Sequence, residues 1–174
     1  AGYPAAYHEY ISVSAIGPDY LPTTYTNYGP GCNISAPGGD VSLNQLSTGY
    51  RAQILSTVPD EVEMFGTDYG YMQGTSMACP HVSGIAALVV SYAVENGITL
   101  TNTQLYEIIT SSVRNIDDRL TGTKVYGDNP GYNMGLDSYK GKMGTGKVDA
   151  QRYGPELLTY TKKPRGNPGF SLFI

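Results

Sequence analysis

The residues best suited to chemistry in this 174-residue chain sit together at Gly74-Thr75-Ser76-Met77-Ala78. From Ser76 to about Glu95 nearly every position is small or apolar, interrupted only by His81, Ser83, Ser91 and Tyr92, which predicts a buried helix beginning at the serine. A serine in a first helical turn has an Oγ aimed away from the helix body and a backbone N–H with no intrahelical acceptor. Such an N–H can donate to a developing oxyanion, and the positive end of the helix dipole assists. The small neighbours Gly74 and Ala78 would let a peptide backbone approach closely. This chemistry suits acyl transfer, although a serine or threonine that merely caps a helix is the commoner finding.

A serine hydroxyl needs a base, normally a histidine oriented by a carboxylate. The chain has two histidines, His8 and His81. His81 lies five residues beyond Ser76, roughly 140° around a helix and about 7.5 Å along it, so it points away from the hydroxyl. It reads as a packed helix residue.

The longer string Gly74-Thr75-Ser76-Met77-Ala78-Cys79-Pro80-His81-Val82-Ser83-Gly84 resembles the nucleophile segment of the subtilases, the subtilisin-like serine peptidases, over eleven consecutive positions. The resemblance continues in order through Tyr3-Pro4-Ala5-Ala6-Tyr7, Ile11 to Ile16, Asn27-Tyr28-Gly29, Ser35-Ala36-Pro37-Gly38, Ile54 to Thr57 and Gly144 to Ala150. It covers roughly residues 2 to 154, with a departure from Gly39 to Gln53. It implies an α/β fold, the C-terminal half of a three-layer subtilisin-like domain with a mainly parallel sheet and a buried nucleophile helix.

On that resemblance Ser76 is the nucleophile and its amide an oxyanion donor. Thr75 adds a hydroxyl nearby, Gly74 admits the substrate backbone, and Met77 borders the site, where it would be sensitive to oxidation. Gly2 corresponds to the floor of the pocket for the residue before the cleaved bond, and Tyr3-Pro4 to a cis bond. The carbonyls of Ala5, Tyr7 and Tyr10 match a weak calcium or monovalent-cation site of some members. No cofactor is required. His8 falls in a segment without a catalytic histidine and is expected at the surface.

In subtilases the catalytic Asp, the His and an oxyanion Asn precede the segment at which this chain begins. The resemblance therefore implies an upstream half that starts before Ala1, a peptide or protein substrate, and secretion or another extracytoplasmic location. The chain alone is expected to be inactive, as a fragment or processed part of a complete peptidase. A catalytically inactive subtilase-like domain, used for peptide binding or as a structural module, is the alternative. An α/β-hydrolase elbow would need glycine where Ala78 stands. Gly141 to Val148 imitates a phosphate loop but has Val148 where a magnesium-holding hydroxyl is required, so it reads as a turn.

Ile11 to Ile16 and Asn33 to Ala36 read as strands running into Gly/Pro turns, as does Gln53 to Val58. Asp40 to Arg51 is polar and aperiodic and reads as an exposed insertion. Pro80 is expected within the first turn of the nucleophile helix, and Asn96-Gly97 should close it. Thr101-Asn102-Thr103-Gln104 announces a second helix with a capping box, extending to about Arg114-Asn115. Residues 117–146 should be loops around at most a short hairpin, with a short helix after Val148-Asp149-Ala150 and a tail or linker over 155–174.

Apolar residues make up 40% of the chain, with 22 Gly, 11 Pro, 16 Tyr and no Trp, a composition of many turns between short elements. A formal charge of −4 supplies no basic field for nucleic acid. The longest apolar run, Ile85 to Ala93, falls short of the roughly 18 residues of a membrane span. Cys32 and Cys79 are too few for a disulfide scaffold and are expected as buried free thiols. The sequon Asn33-Ile34-Ser35 sits in a predicted strand and reads as structural.

Overall fold

A computed structural model describes residues 2–46, 52–59, 68–127 and 130–153. The expected tail over 155–174 and the second half of the 40–51 segment lie outside them. The main sheet takes strands in the order β1 (Val13–Ile16), β2 (Ile34–Pro37), β8 (Lys147–Val148), β5 (Val113–Arg114). β1, β2 and β8 run parallel, with Ala15 opposite Ala36, and β5 closes the edge antiparallel to β8. A hairpin of β3 (Ile54–Thr57) and β4 (Tyr69–Met72) leads into helix α1 (Thr75–Glu95), followed by α2 (Asn102–Ser111). β6 (Thr123–Lys124) and β7 (Met134–Gly135) form the short hairpin expected within the loop region.

Strand alternation explains the layering. Ala15, Ala36 and Val148 meet α1 and α2 in one core with Ala78, Val82, Ala86, Val89, Ile108 and Ile109. Ile16 lies on the other side with Ile116, Leu120, Leu136 and Met143. Alanine facing alanine between β1, β2 and α1 lets the helix sit close to the sheet, and a larger side chain there would push it away.

α1 departs from expectation in how it is buried. Only the stripe Ala78, Val82, Ala86, Val89, Ala93 is covered. The other faces carry exposed Leu88, Val90, Tyr92 and Val94, because a helix resting on one sheet covers one face. Its 21 residues are also long and apolar enough to cross a membrane by length and composition, a match that the apolar-run criterion overlooks because Pro80, His81 and Ser83 interrupt the helix before Ile85. Pro80 lies at the sixth helical position, beyond the first turn, so the Ser76 carbonyl lacks the N–H that would close on it. Asn96 caps the helix and Gly97 takes φ +67° after it, as the Asn-Gly pair predicts.

The capping box at Thr101 forms as expected, the Gln104 N–H donating to Oγ1 at 3.2 Å and the Thr101 N–H to Gln104 Oε1 at 2.9 Å. α2 ends three residues earlier than predicted, because Val113 and Arg114 leave it to pair with β8. Asn33 is structural: its Oδ1 accepts the Ser12 N–H at 2.7 Å and its Nδ2 donates to the Tyr106 hydroxyl at 3.0 Å. Cys32 is buried and free, whereas Cys79 is free but exposed, since it falls outside the covered stripe of α1.

Asp40 overturns the reading of residues 40–51 as wholly exposed. It is 1% exposed, and its Oδ2 accepts from Lys124 Nζ and from the Tyr126 hydroxyl, each at 2.7 Å. Lys124 Nζ also reaches Asp19 at 3.1 Å and donates to the Pro22 carbonyl at 2.9 Å. A buried carboxylate is tolerable only with partners of this kind.

Candidate active site

Three chain segments meet at the start of α1. β2 exits through Pro37-Gly38-Gly39, β4 delivers Gln73 and Gly74, and α1 begins at Thr75. Gly74 is the N-cap, at φ +151°, a conformation for which glycine is suited. Its N–H donates to the Gly38 carbonyl at 2.9 Å, and its own carbonyl accepts the Met77 and Ala78 N–H groups at 3.0 and 3.2 Å. This leaves Thr75 and Ser76 on the outside of the first turn.

Ser76 is exposed, while Ala78 two residues on is fully buried. Among the described residues, no side chain or carbonyl bonds the Ser76 hydroxyl or its amide. Thr75 and Met77 are half-buried beside it. The arrangement presents an oxygen nucleophile, a free N–H and a helix terminus on the same spot, the groups an acyl transfer needs besides its base.

Among the described residues neither histidine stands with them as a base. His81 is tied along the helix, Nδ1 to the Met77 carbonyl at 2.8 Å; the carbonyl can only accept, so Nδ1 carries the hydrogen. His8 is exposed and pairs with Glu9 at 3.1 Å. Both histidines are therefore engaged elsewhere, as their spacing and segment suggest.

The segment from Gly2 to Tyr10 folds as successive turns. The Tyr3–Pro4 bond is cis. The Ala6 N–H donates to the Gly2 carbonyl at 3.0 Å, and a Cβ at Gly2 would meet nothing within 4 Å, so packing inside this chain does not require glycine there. The Tyr7 carbonyl accepts the Tyr10 N–H at 3.1 Å. No group of three or more His, Cys, Asp or Glu that could hold a metal occurs among the described residues.

Sequence reasoning missed Tyr25. Its hydroxyl lies 2.8 Å from the Gly38 carbonyl and 2.5 Å from the Gly39 carbonyl, sharing its proton between them, and it also faces the Gly74 amide. Burial, together with the Asp40 charge, raises its pKa to about 12. Gly38 is glycine for a visible reason: a Cβ would come within 2.6 Å of Ala15 Cβ, 2.8 Å of the Gly74 carbonyl and 2.9 Å of the Tyr25 hydroxyl. One phenol thus ties the exit of β2 to the cap that orients Ser76. Asp40, the next residue after that turn, is held by Lys124 and Tyr126 and fixes its far end. A tyrosine among sixteen gives no local signal of such a role.

Comparison with known proteins matches residues 1–146 to the model of the subtilase family. An extracellular basic protease of Dichelobacter nodosus is 34% identical over 118 residues, 68% of this chain and 18% of that protein. Halolysin of Haloferax mediterranei is 32% identical over 148 residues, 85% of this chain and 20% of that protein. Proteases named as intracellular match as well. A solved protease structure from Pseudoalteromonas arctica superposes with a TM-score of 0.60 at 25% identity, covering 89% of this chain and 38% of that one. The chain spans about a fifth of the length of these two curated relatives.

Proposed function

Since the chain belongs to the subtilase family, we propose that it is the nucleophile-bearing part of a serine endopeptidase that cleaves peptide bonds through an acyl-enzyme on Ser76. The observation that carries this reading is the exposed Ser76 at the head of a helix whose buried stripe begins two residues on at Ala78. Oγ attacks the scissile carbonyl carbon as its proton passes to a histidine supplied by residues outside this chain. The carbonyl oxygen becomes an oxyanion facing the Ser76 N–H, with the Thr75 hydroxyl close by. Collapse of the intermediate expels the amine, which takes the proton, and water then releases the acyl group by the same route. In subtilisin, the worked case for this chemistry, loss of the histidine costs about 10⁶ in turnover, so the 174 residues alone should not turn over substrate.

The uncovered face of α1, with Leu88, Tyr92 and Val94, supports a further segment of the domain packing there, which favours a core helix over a membrane span. That segment is the upstream half carrying the Asp, the His and the oxyanion Asn. We assign the finished enzyme an extracytoplasmic location. A cation at the Ala5, Tyr7 and Tyr10 carbonyls would stabilise the turn beside the site without entering the chemistry, and would show as a calcium-dependent rise in Tm abolished by chelator.

The deciding experiment treats the intact protein with a fluorophosphonate probe and maps the adduct. Labelling at Ser76, absent from Ser76→Ala and from the 174-residue chain alone, is the expected result. An intact protein that folds yet never labels would instead be a subtilase-like domain without catalysis.

A further inference from the structure

A cavity of about 420 Å³ shares no lining residue with the Ser76 site. Arg114, Arg119 and Lys147 line it, with Tyr20 and a single carboxylate, Asp149. Val113 and Val148 point from the sheet edge into the core beneath α1 and α2, so by alternation Arg114 and Lys147 project from the opposite face. They also stand directly opposite one another in the β5–β8 register. Like charges so placed repel and destabilise an antiparallel pair.

Of the three cations Asp149 hydrogen-bonds to Arg114 alone, though the Lys147 charge also acts on it and Arg152 Nε lies 3.7 Å from its Oδ2. Its Oδ2 accepts from Arg114 Nε at 2.6 Å, and this contact holds its carboxyl below the usual range. Among the described residues, Arg119 and Lys147 make no ion pair. Each instead sits over the Tyr20 ring, at 5.5 and 4.7 Å from its centroid. A cation–π contact uses the face of the ring and no acceptor lone pair, so the N–H donors of both cations stay available. Tyr20 holds this position at φ +63°, a left-handed conformation unfavourable to a bulky residue, with its N–H on the Gly17 carbonyl at 3.0 Å.

We propose that this cavity binds a small oxyanion carrying two negative charges, of the phosphate or sulfate type. The lining leaves an excess of two positive charges in a chain whose formal charge is −4. A tetrahedral dianion offers several acceptor oxygens at once. It can take a fork from the guanidinium of Arg119, the remaining donors of Arg114 and the ammonium of Lys147. It would also offset the Arg114–Lys147 repulsion across the two strands.

The test uses the intact protein carrying Ser76→Ala, to prevent self-digestion, and reads thermal unfolding in inorganic phosphate against sodium chloride of equal ionic strength. About 10 mM phosphate should raise Tm by about 3 °C over the chloride control, as expected for a millimolar site. The rise should vanish in Arg119→Ala/Lys147→Ala. Sulfate should act like phosphate, whereas acetate, with one charge, should act like chloride. A phosphate shift no larger than chloride's, or one the double variant retains, overturns the proposal. Should the double variant not fold, calorimetric titration of the Ser76→Ala protein with phosphate decides instead: saturable heat that fits one site with a millimolar Kd, absent with chloride, supports the site, and its absence overturns it. None of these readouts depends on Ser76, so they stand apart from the peptidase reading.

Discussion

Tyr25 shows what a single hydroxyl does near Ser76. Tyr25→Phe leaves the Gly38 and Gly39 carbonyls without their shared donor. It should lower stability by about 1–2 kcal/mol in urea unfolding, and it should slow fluorophosphonate labelling of the intact protein at temperatures well below Tm. Unchanged labelling would make the hydroxyl purely structural. The same group predicts a pH effect. Its folded pKa, raised to about 12 chiefly by burial, exceeds the ordinary tyrosine value, so its contribution is complete below pH 10 and is lost as pH rises from 10 towards 12. Alkaline unfolding curves of the wild-type protein should fall more steeply across that window than those of Tyr25→Phe. Ser76 was legible in the sequence because glycine, threonine, methionine and alanine around it form a contiguous string. Tyr25 was not, because its role arises from two carbonyls 13 and 14 residues away.

Elements with local signals were readable and those with distant partners were not. Thr101 and Gln104 sit three residues apart, so the capping box predicts the start of α2 correctly. Its end was missed because β5 answers to β8, and the Val113–Val148 pairing cannot be seen from the helix. Asp40 was read as surface because a carboxylate in a polar run usually is. Its Lys124 partner stands 84 residues along, at the β6–β7 hairpin. Lys124→Met should therefore destabilise by about 3–5 kcal/mol, measured by denaturant unfolding, by leaving Asp40 without its cation. Adding Asp40→Leu should recover much of that loss, and failure to do so would mean Lys124 acts through packing alone. Gly38→Ala should be at least as damaging as Tyr25→Phe, since the new methyl meets Ala15, the Gly74 carbonyl and Tyr25 together.

At the scale of the whole molecule, the mainly parallel character of the sheet followed from the family resemblance, while its strand order and the one-sided burial of α1 did not. An all-round apolar helix fits a core that surrounds it, and this chain supplies one side. Leu88 and Val94 remain 65% and 69% exposed. The 174 residues alone should self-associate, and Leu88→Glu with Val94→Lys should render them monomeric in sedimentation experiments. In the intact protein the same pair should instead lower stability if that face is covered. A double variant without effect on stability there would place the face at the surface of the finished enzyme.

The chain's two thiols differ in access: Cys32 is buried, whereas Cys79 is exposed three residues after Ser76, a neighbouring position on the helix surface. Mild alkylation of this chain should therefore attach a fluorophore at one place, a single turn from Ser76. Such a dye would act as an optical reporter, its emission changing if a peptide occupies the ground beside Ser76, the test being a fluorescence titration with and without peptide.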